Sequence, residues 1–250
     1  MSVRISPTVN GYAHIGHLVL ALVNDAHRDS GKLYLRFEDY QPHFRGLLGA
    51  ERIEQFKSSF RTMLHWAGIE FEEQSCRDIL HLIKPCPAEA HLNNFLALAG
   101  RNHPTHTPNN AKFYLNVDDF EFHPYFPVIT WNRVIWDNNF DVDPVIRGVD
   151  LVSESSLYQF FASLLDLKFP CLAYIPHLMI QNSEGHRQKL SKSRNQLPYQ
   201  ITEIMRHVSF EDALAVLKCC CLKETEGDFR LDNLKSEFVL HRDFMEMVAL

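Results

Sequence analysis

PTVNGYAHIGHL, residues 7–18, joins a short apolar segment to an apolar run through a glycine turn. Upstream, residues 2–7 read as a short strand. Downstream, HLVLALVNDAHRDSG places Leu18, Ala21 and Leu22 at helical spacing and stops at Ser30-Gly31. KLYLRFED then alternates Leu33, Leu35 and Phe37 and reads as a second strand. Strand, helix and strand in so few residues signal a parallel sheet with a crossover helix. The turn puts His14 and His17 at the first residues of that helix, with Gly11 and Gly16 beside them. Gly11 suits a tight turn, and Gly16 leaves room for a flat group against the backbone. In a sheet of this type ligands sit at the carboxyl ends of the strands, where helix N-termini favour anions. The plain alternative is a turn that happens to contain histidines.

The rest of the chain supports an α/β reading: a Rossmann-like parallel-sheet core with a short inserted subdomain and a helical C-terminal tail. GAERIEQFKSSFRTMLHWAGI (49–69) is an amphipathic helix ending at Gly68. Residues 1–74 form the first half of the core on this reading. Residues 75–127 are an insertion interrupted by Pro85, Pro87, Pro104, Pro108, Pro124 and Pro127, with AKFYLNVDDFEFH as a strand or hairpin inside it. Residues 128–198 are the second half, in which DPVIRG is a short strand, ESSLYQFFASLLDL a helix and CLAYIPHLMI a buried strand. Residues 199–250 read as a helical tail, with SFEDALAVLKCCCL opening on a Ser N-cap.

Composition sets limits. With 250 residues, 46% hydrophobic and 22% charged, the chain has the make-up of an ordinary globular protein. It contains no apolar run of the roughly 20 residues that cross a bilayer, and MSVRISPTV lacks the layout of a secretion signal. A cytoplasmic location, with no membrane partner, is expected. Consecutive Cys219, Cys220 and Cys221 do not make a disulfide framework and read as a helix end. A net charge of −6 argues against a broadly basic nucleic-acid surface.

A second motif lies far along the chain. KLSKS, residues 189–193, follows the last core strand in a polar loop. Lys189 and Lys192, with Ser191 between them, make a mobile cationic clamp suited to a polyphosphate. Alone, such a loop is more commonly a solvated charged surface.

Taken together, the motifs resemble class I aminoacyl-tRNA synthetases, and most closely the glutamyl and glutaminyl branch. Arg4, Pro7, Gly11, Tyr12, His14, Ile15 and Gly16 fit that branch's opening pattern, RFED (36–39) its strand end, VIRGVD (145–150) a later strand, and KLSKS its lysine loop. The resemblance implies ATP contacts from Thr8, Gly11, His14, Gly16, His17, Lys189, Ser191 and Lys192, with His14, His17, Lys189 and Lys192 catalytic. It implies magnesium with the ATP. It also implies an amino-acid pocket of Arg4, Ser6, Thr8, Glu38, Thr130 and Arg147. In that pocket Arg4 grips a side-chain carboxylate and Glu38 receives the α-amino group. For Arg4, Glu38 and Arg147 the plain alternative is an ion pair or a strand-end hydrogen bond.

The implied reaction is ATP-dependent activation of an amino acid, glutamate by this resemblance, as an aminoacyl adenylate, followed by transfer to an acceptor such as a tRNA. The alternatives are a small-molecule or carrier-protein acceptor, a nucleotidyltransferase sharing the first motif, and a non-catalytic paralogue that binds an amino acid or partner.

The match departs from the family in places. Thr130 stands where a tyrosine is usual, and Asp137-Asn138 where paired aspartates are usual. The insertion is short and its centre acidic, and no anticodon-binding domain is expected after the lysine loop. The compact glutamyl-queuosine tRNA-Asp synthetases lack that domain but carry zinc ligands in the insertion. Here Cys76, His81, Cys86 and His91 recur every five residues, which is not a helical face period, and Pro85 and Pro87 break the run. No bound zinc is therefore expected, these four residues being the candidates if there is one.

Overall fold

The computed structural model describes residues 1–38, 49–75, 129–181, 184–190 and 199–241. The expected insertion, its hairpin and the four zinc-type side chains, together with Ser191 and Lys192, lie outside these residues.

The sheet is built outward from β1 (Val3–Ile5), all three residues of which are buried. β2 (Leu33–Phe37) runs parallel to it with Val3 opposite Leu33 and Ile5 opposite Leu35. β3 (Glu72–Ser75) continues parallel on the far side of β2. On the other flank Ser2 bridges Val142 in parallel, and the Asp143 N–H donates to the Ser2 carbonyl at 3.0 Å. That joint leads into β4 (Val145–Gly148), which pairs with β5 (Leu172–Ile175). The strands thus succeed one another as β3-β2-β1-β4-β5, and the order reverses between β1 and β4. β2 is buried at every position, Tyr34 and Arg36 included. The alternation expected for it is absent because helices cover both faces of a parallel sheet.

Helices α1 (Ile15–His27) and α2 (Ala50–Trp66) supply much of the main core, packing Leu18, Val19 and Val23 with Phe56, Phe60 and Met63. Helix α3 (Ile129–Asn139) was not evident from the apolar pattern, because its buried side carries Arg133 and Asp137 as well as Val134, Ile135 and Trp136. Helix α4 (Ser155–Leu164) follows a 3-10 turn over Val149–Glu154.

The segment expected to be one strand, CLAYIPHLMI, is two. Pro176 has no N–H to give to a ladder, and the chain changes sheets there. β6 (Leu178–Gln181) pairs antiparallel with β7 (Arg187–Lys189) and parallel with β8 (Phe238–His241). The tail is accordingly not all helical. After α5 (Ile201–Ile204) and α6 (Phe210–Cys221) it returns as β8, whose Phe238 and Leu240 are buried. Helix α6 has the expected Ser209 cap, accepting from the Asp212 N–H, and it ends at the cysteines. Burial pushes the Cys220 thiol up to about 11, which suits packing and not redox chemistry.

One side chain ties α2 to the turn before α1. Buried Ser59 accepts the Ala13 N–H at 2.8 Å and donates to the Phe56 carbonyl at 2.6 Å. Ser59→Ala leaves that N–H buried without an acceptor and is expected to cost about 1–3 kcal/mol in urea unfolding. A loss under about 0.5 kcal/mol would mean that the turn does not depend on this bond.

Candidate active site

A cavity of about 390 Å³ opens at the carboxyl ends of β1 and β4, where the strand order reverses. Ser6, Thr8 and Asn10 reach it from the end of β1, His14, Gly16 and His17 from the start of α1, and Arg133 from α3. Gly148, Asp150 and His177 line it beyond β4 and β5, and Lys189 enters from β7.

The histidines cap their own helix. The Gly16 N–H donates to His14 Nδ1 at 3.2 Å, and the His14 N–H donates to His17 Nδ1 at 3.0 Å. This is a capping box with imidazoles in place of the usual hydroxyl and carboxylate. Because each Nδ1 accepts, the proton of each neutral ring sits on Nε2, and both rings are Nε2–H donors. The rings lie 3.7 Å apart between centroids, and His17 rests edge-on against Phe60 at 4.9 Å. A Cβ on Gly16 would come within 3.1 Å of the His14 ring. A side chain there would press directly on the cap.

At the opposite wall the Lys189 ammonium lies 3.0 Å from Asp150 Oδ2 and 3.0 Å from His177 Nε2. His177 Nε2 is 3.3 Å from Asp150 Oδ1. Gly148 makes this cluster possible, since a Cβ on it would stand 2.7 Å from Asp150 Oδ1 and 3.1 Å from His177 Cε1. Burial, aided by Lys189, holds the His177 imidazole below its ordinary range, while Asp150 acts in the other direction.

The expected amino-acid residues divide. Ser6 and Thr8 line the cavity, whereas Arg4, Glu38, Thr130 and Arg147 lie behind it, buried in the wall. Arg4 donates through Nε and Nη2 to both oxygens of Asp137, the latter at 2.8 Å, and through Nη1 to Ser6 at 2.9 Å. The Tyr158 hydroxyl also donates to Asp137, at 2.9 Å. Glu38 accepts from Arg133 Nε at 2.7 Å and Nη2 at 3.0 Å, and from the Thr8 hydroxyl at 3.3 Å. Burial pushes the Glu38 carboxyl up, and Arg133, with Arg36 and Arg4, more than reverses this, so it lies below the usual carboxylate value. Arg147 donates to the Tyr174 hydroxyl at 3.2 Å and lies 5.4 Å from the centre of that ring. Gly11 is buried in the turn and does not line the cavity.

Asn10, Arg133, Asp150 and His177 went unassigned in the sequence reading. Asp150 stands just past a predicted strand end, a signal that was available, whereas His177 lay inside the segment expected to be one strand, and only the break at Pro176 places it at a strand end. For Arg133 there was none, since its importance depends on Glu38, which is distant in the chain. Among the described residues no group of three or more metal-type side chains converges, and no helix is long and apolar enough to cross a membrane.

Breaking the Arg4–Asp137 pair from one side strands a buried guanidinium. Asp137→Ala is expected to lose about 3–5 kcal/mol in chemical denaturation; a loss below 1 kcal/mol would contradict a closed internal pair. For His177 the sign is set by its depressed value. The unfolded chain binds this proton more readily than the native state, so the stability associated with the neutral ring is complete well above 6.5, the ordinary histidine value. It is lost as pH falls through that value and below. The thermal midpoint of His177→Gln should therefore fall less than that of the parent between pH 7.5 and 5.5. Parallel curves would refute the assignment.

The profile described as tRNA synthetases class I (E and Q), catalytic domain, matches residues 1–83. The glutamate–tRNA ligase of Nitrosopumilus maritimus (strain SCM1) is 38% identical over 72 residues, 28% of this chain and 11% of that protein. The glutamate–tRNA ligase of Cenarchaeum symbiosum (strain A) is 37% identical over 71 residues, again 28% of this chain and 11% of that protein. The matched stretch thus spans about a tenth of the length of these relatives. Among solved structures, a glutamate tRNA ligase from Elizabethkingia meningosepticum CCUG26117 in complex with its amino acid shares the fold. Its TM-score is 0.65 at 12% identity, over 99% of this chain and 68% of that one. A tyrosyl-tRNA synthetase from Aeropyrum pernix aligns with a TM-score of 0.50 at 16% identity, over 86% of this chain and 62% of that one. Residues 1–83 are therefore similar to the catalytic domain of class I tRNA synthetases of the glutamate and glutamine branch, and the chain shares the mixed α/β fold of the solved glutamate tRNA ligase.

Proposed function

We propose that the cavity binds ATP and activates the carboxylate of an acid, glutamate by kinship with the relatives, as an acyl adenylate for transfer to an acceptor such as tRNA. The observation that carries this reading is that His14, His17 and Lys189, far apart in the chain, line one cavity. Its volume of about 390 Å³ lies within the range of small-molecule sites.

The chemistry follows from the donors. A substrate carboxylate oxygen attacks the α-phosphorus, the bond to the bridging oxygen breaks, and that electron pair leaves with pyrophosphate. The His14 and His17 Nε2–H groups and the N-terminus of α1 are suited to the oxygens on which charge builds up. Lys189 is suited to the departing end, once its ammonium swings from Asp150 and His177 to the phosphates. Positioning and charge supply the acceleration, and no side chain serves as a covalent nucleophile. Magnesium, when bound, neutralises phosphate charge. Asp150, the carboxylate among the described lining residues, is already shared by Lys189 and His177, which favours an ion carried mainly by the oxygens of ATP itself. Lys192 and Ser191 are assigned to the same clamp by the resemblance. Cytoplasmic action is part of this proposal.

ATP–pyrophosphate exchange, with and without tRNA, tests the reading. His14→Asn preserves an N-cap acceptor, so it is expected to keep the unfolding midpoint while exchange falls by about 10²-fold or more. The double variant Lys189→Ala, Lys192→Ala should abolish exchange in a folded protein. Retained turnover in that variant would remove the clamp from the mechanism. Absence of exchange with every amino acid, with and without tRNA, would favour a binding protein.

A further inference from the structure

The polar floor of the cavity carries a sign opposite to the one the resemblance implies. That resemblance makes Glu38 the receiver of an ammonium group. In the structure Glu38 has 0% exposure and does not line the cavity, whereas Arg133, 8% exposed, does. The two planar groups meet fork to fork, at 2.7 Å and 3.0 Å, and Thr8 adds a third donor to the same carboxylate. Arg4, the expected grip for a side-chain carboxylate, is closed in the same manner on Asp137. A ligand in the cavity lined by Ser6, Thr8 and Asn10 therefore meets a guanidinium whose charge is held in place by a buried anion. An ammonium at this point would have to expel Arg133 from Glu38 and leave a buried cation unpaired. A carboxylate or carbonyl oxygen meets an oriented donor.

We propose that Arg133 recognises an anionic or carbonyl group of the substrate, with Glu38 as its positioning residue. The acid bound here is then a dicarboxylate selected without regard to a free α-ammonium. This rests on reading the cavity as an acid-activating site and narrows the class of acid. Arg133 becomes a specificity-determining residue, and neither composition nor the histidine and lysine motifs point to it.

Isothermal titration of the full chain with glutamate, glutarate and 4-aminobutyrate tests the proposal without any variant. Glutarate lacks the ammonium, and 4-aminobutyrate lacks the α-carboxylate. The expected result is dissociation constants for glutarate and glutamate within about 3-fold of each other, with 4-aminobutyrate weaker by at least about 10-fold, the scale of one charge-assisted hydrogen bond. A preference of 30-fold or more for glutamate over glutarate would overturn it, because it requires an ammonium receptor. So would failure of all three to bind.

Arg133→Gln should weaken glutarate by about 10-fold or more and shift the ratio toward glutamate. Arg133→Lys keeps the charge beside Glu38 but loses the fork, and it provides a folded comparison if the glutamine variant is unstable. Unchanged glutarate affinity in a folded variant also overturns the proposal. Binding in the predicted order without pyrophosphate exchange would uphold this inference and refute the activation reading, so the two fail separately.

Discussion

The parting of the chain between β1 and β4 governs the rest of the molecule. β1 is short and wholly buried, with β2 on one side and the Ser2–Val142 bridge to the start of β4 on the other. Where two neighbouring parallel strands send their connections to opposite sides, their carboxyl ends cannot be covered by either. That uncovered space is the cavity. The helix leaving β1 aims its N-terminus into it, and the Ser59 bond to Ala13 fixes where that helix begins. His14 and His17 then serve two purposes. Their Nδ1 atoms complete the backbone bonds of the first turn, and this leaves their protons on the outer nitrogens. Helix geometry and proton placement are consequences of the same two hydrogen bonds.

Behind the cavity lies a layer of buried charge. Arg4 with Asp137 and Glu38 with Arg133 each connect the first half of the core to α3. Such pairs contribute little net stability compared with apolar packing, yet each is costly to break from one side. Their effect here is to fix α3 against the ends of β1 and β2, so that Arg133 reaches the cavity in one orientation. Of the departures noted in the sequence, Thr130 is buried behind the cavity, while Asn138 bonds to the Lys168 backbone.

Legibility in the sequence followed the range of the interactions. β1, α1, α2, β2 and β4 depend on local periodicity, turn glycines and caps, and they were readable from residues a few positions apart. The histidine and lysine motifs could be read because each is a compact string. Other features depend on distant partners. β8 pairs with β6 across two intervening helices, so nothing near Phe238 and Leu240 in the chain set them apart from a helical tail. Arg133 looked like one charged residue in an irregular stretch, because its meaning comes from Glu38, far away in the chain. β2 was recognised as a strand from Leu33, Leu35 and Phe37, but that alternation did not foretell the burial of Tyr34 and Arg36 on its other face.

The break at Pro176-His177 has a consequence for the order of assembly. It directs β6 out of the main layer and into a separate three-stranded unit whose middle strand is β6, with β7 on one edge and β8 on the other. β7 brings Lys189 to the cavity, while β8 comes from near the far end of the described chain. Emerging from the ribosome, the polypeptide has its imidazole wall long before the strand that supports its cationic wall exists. Parallel pairing across that separation is slow to close. The wall that carries Lys189 is therefore the last part of the cavity to be completed, when β8 docks beside β6.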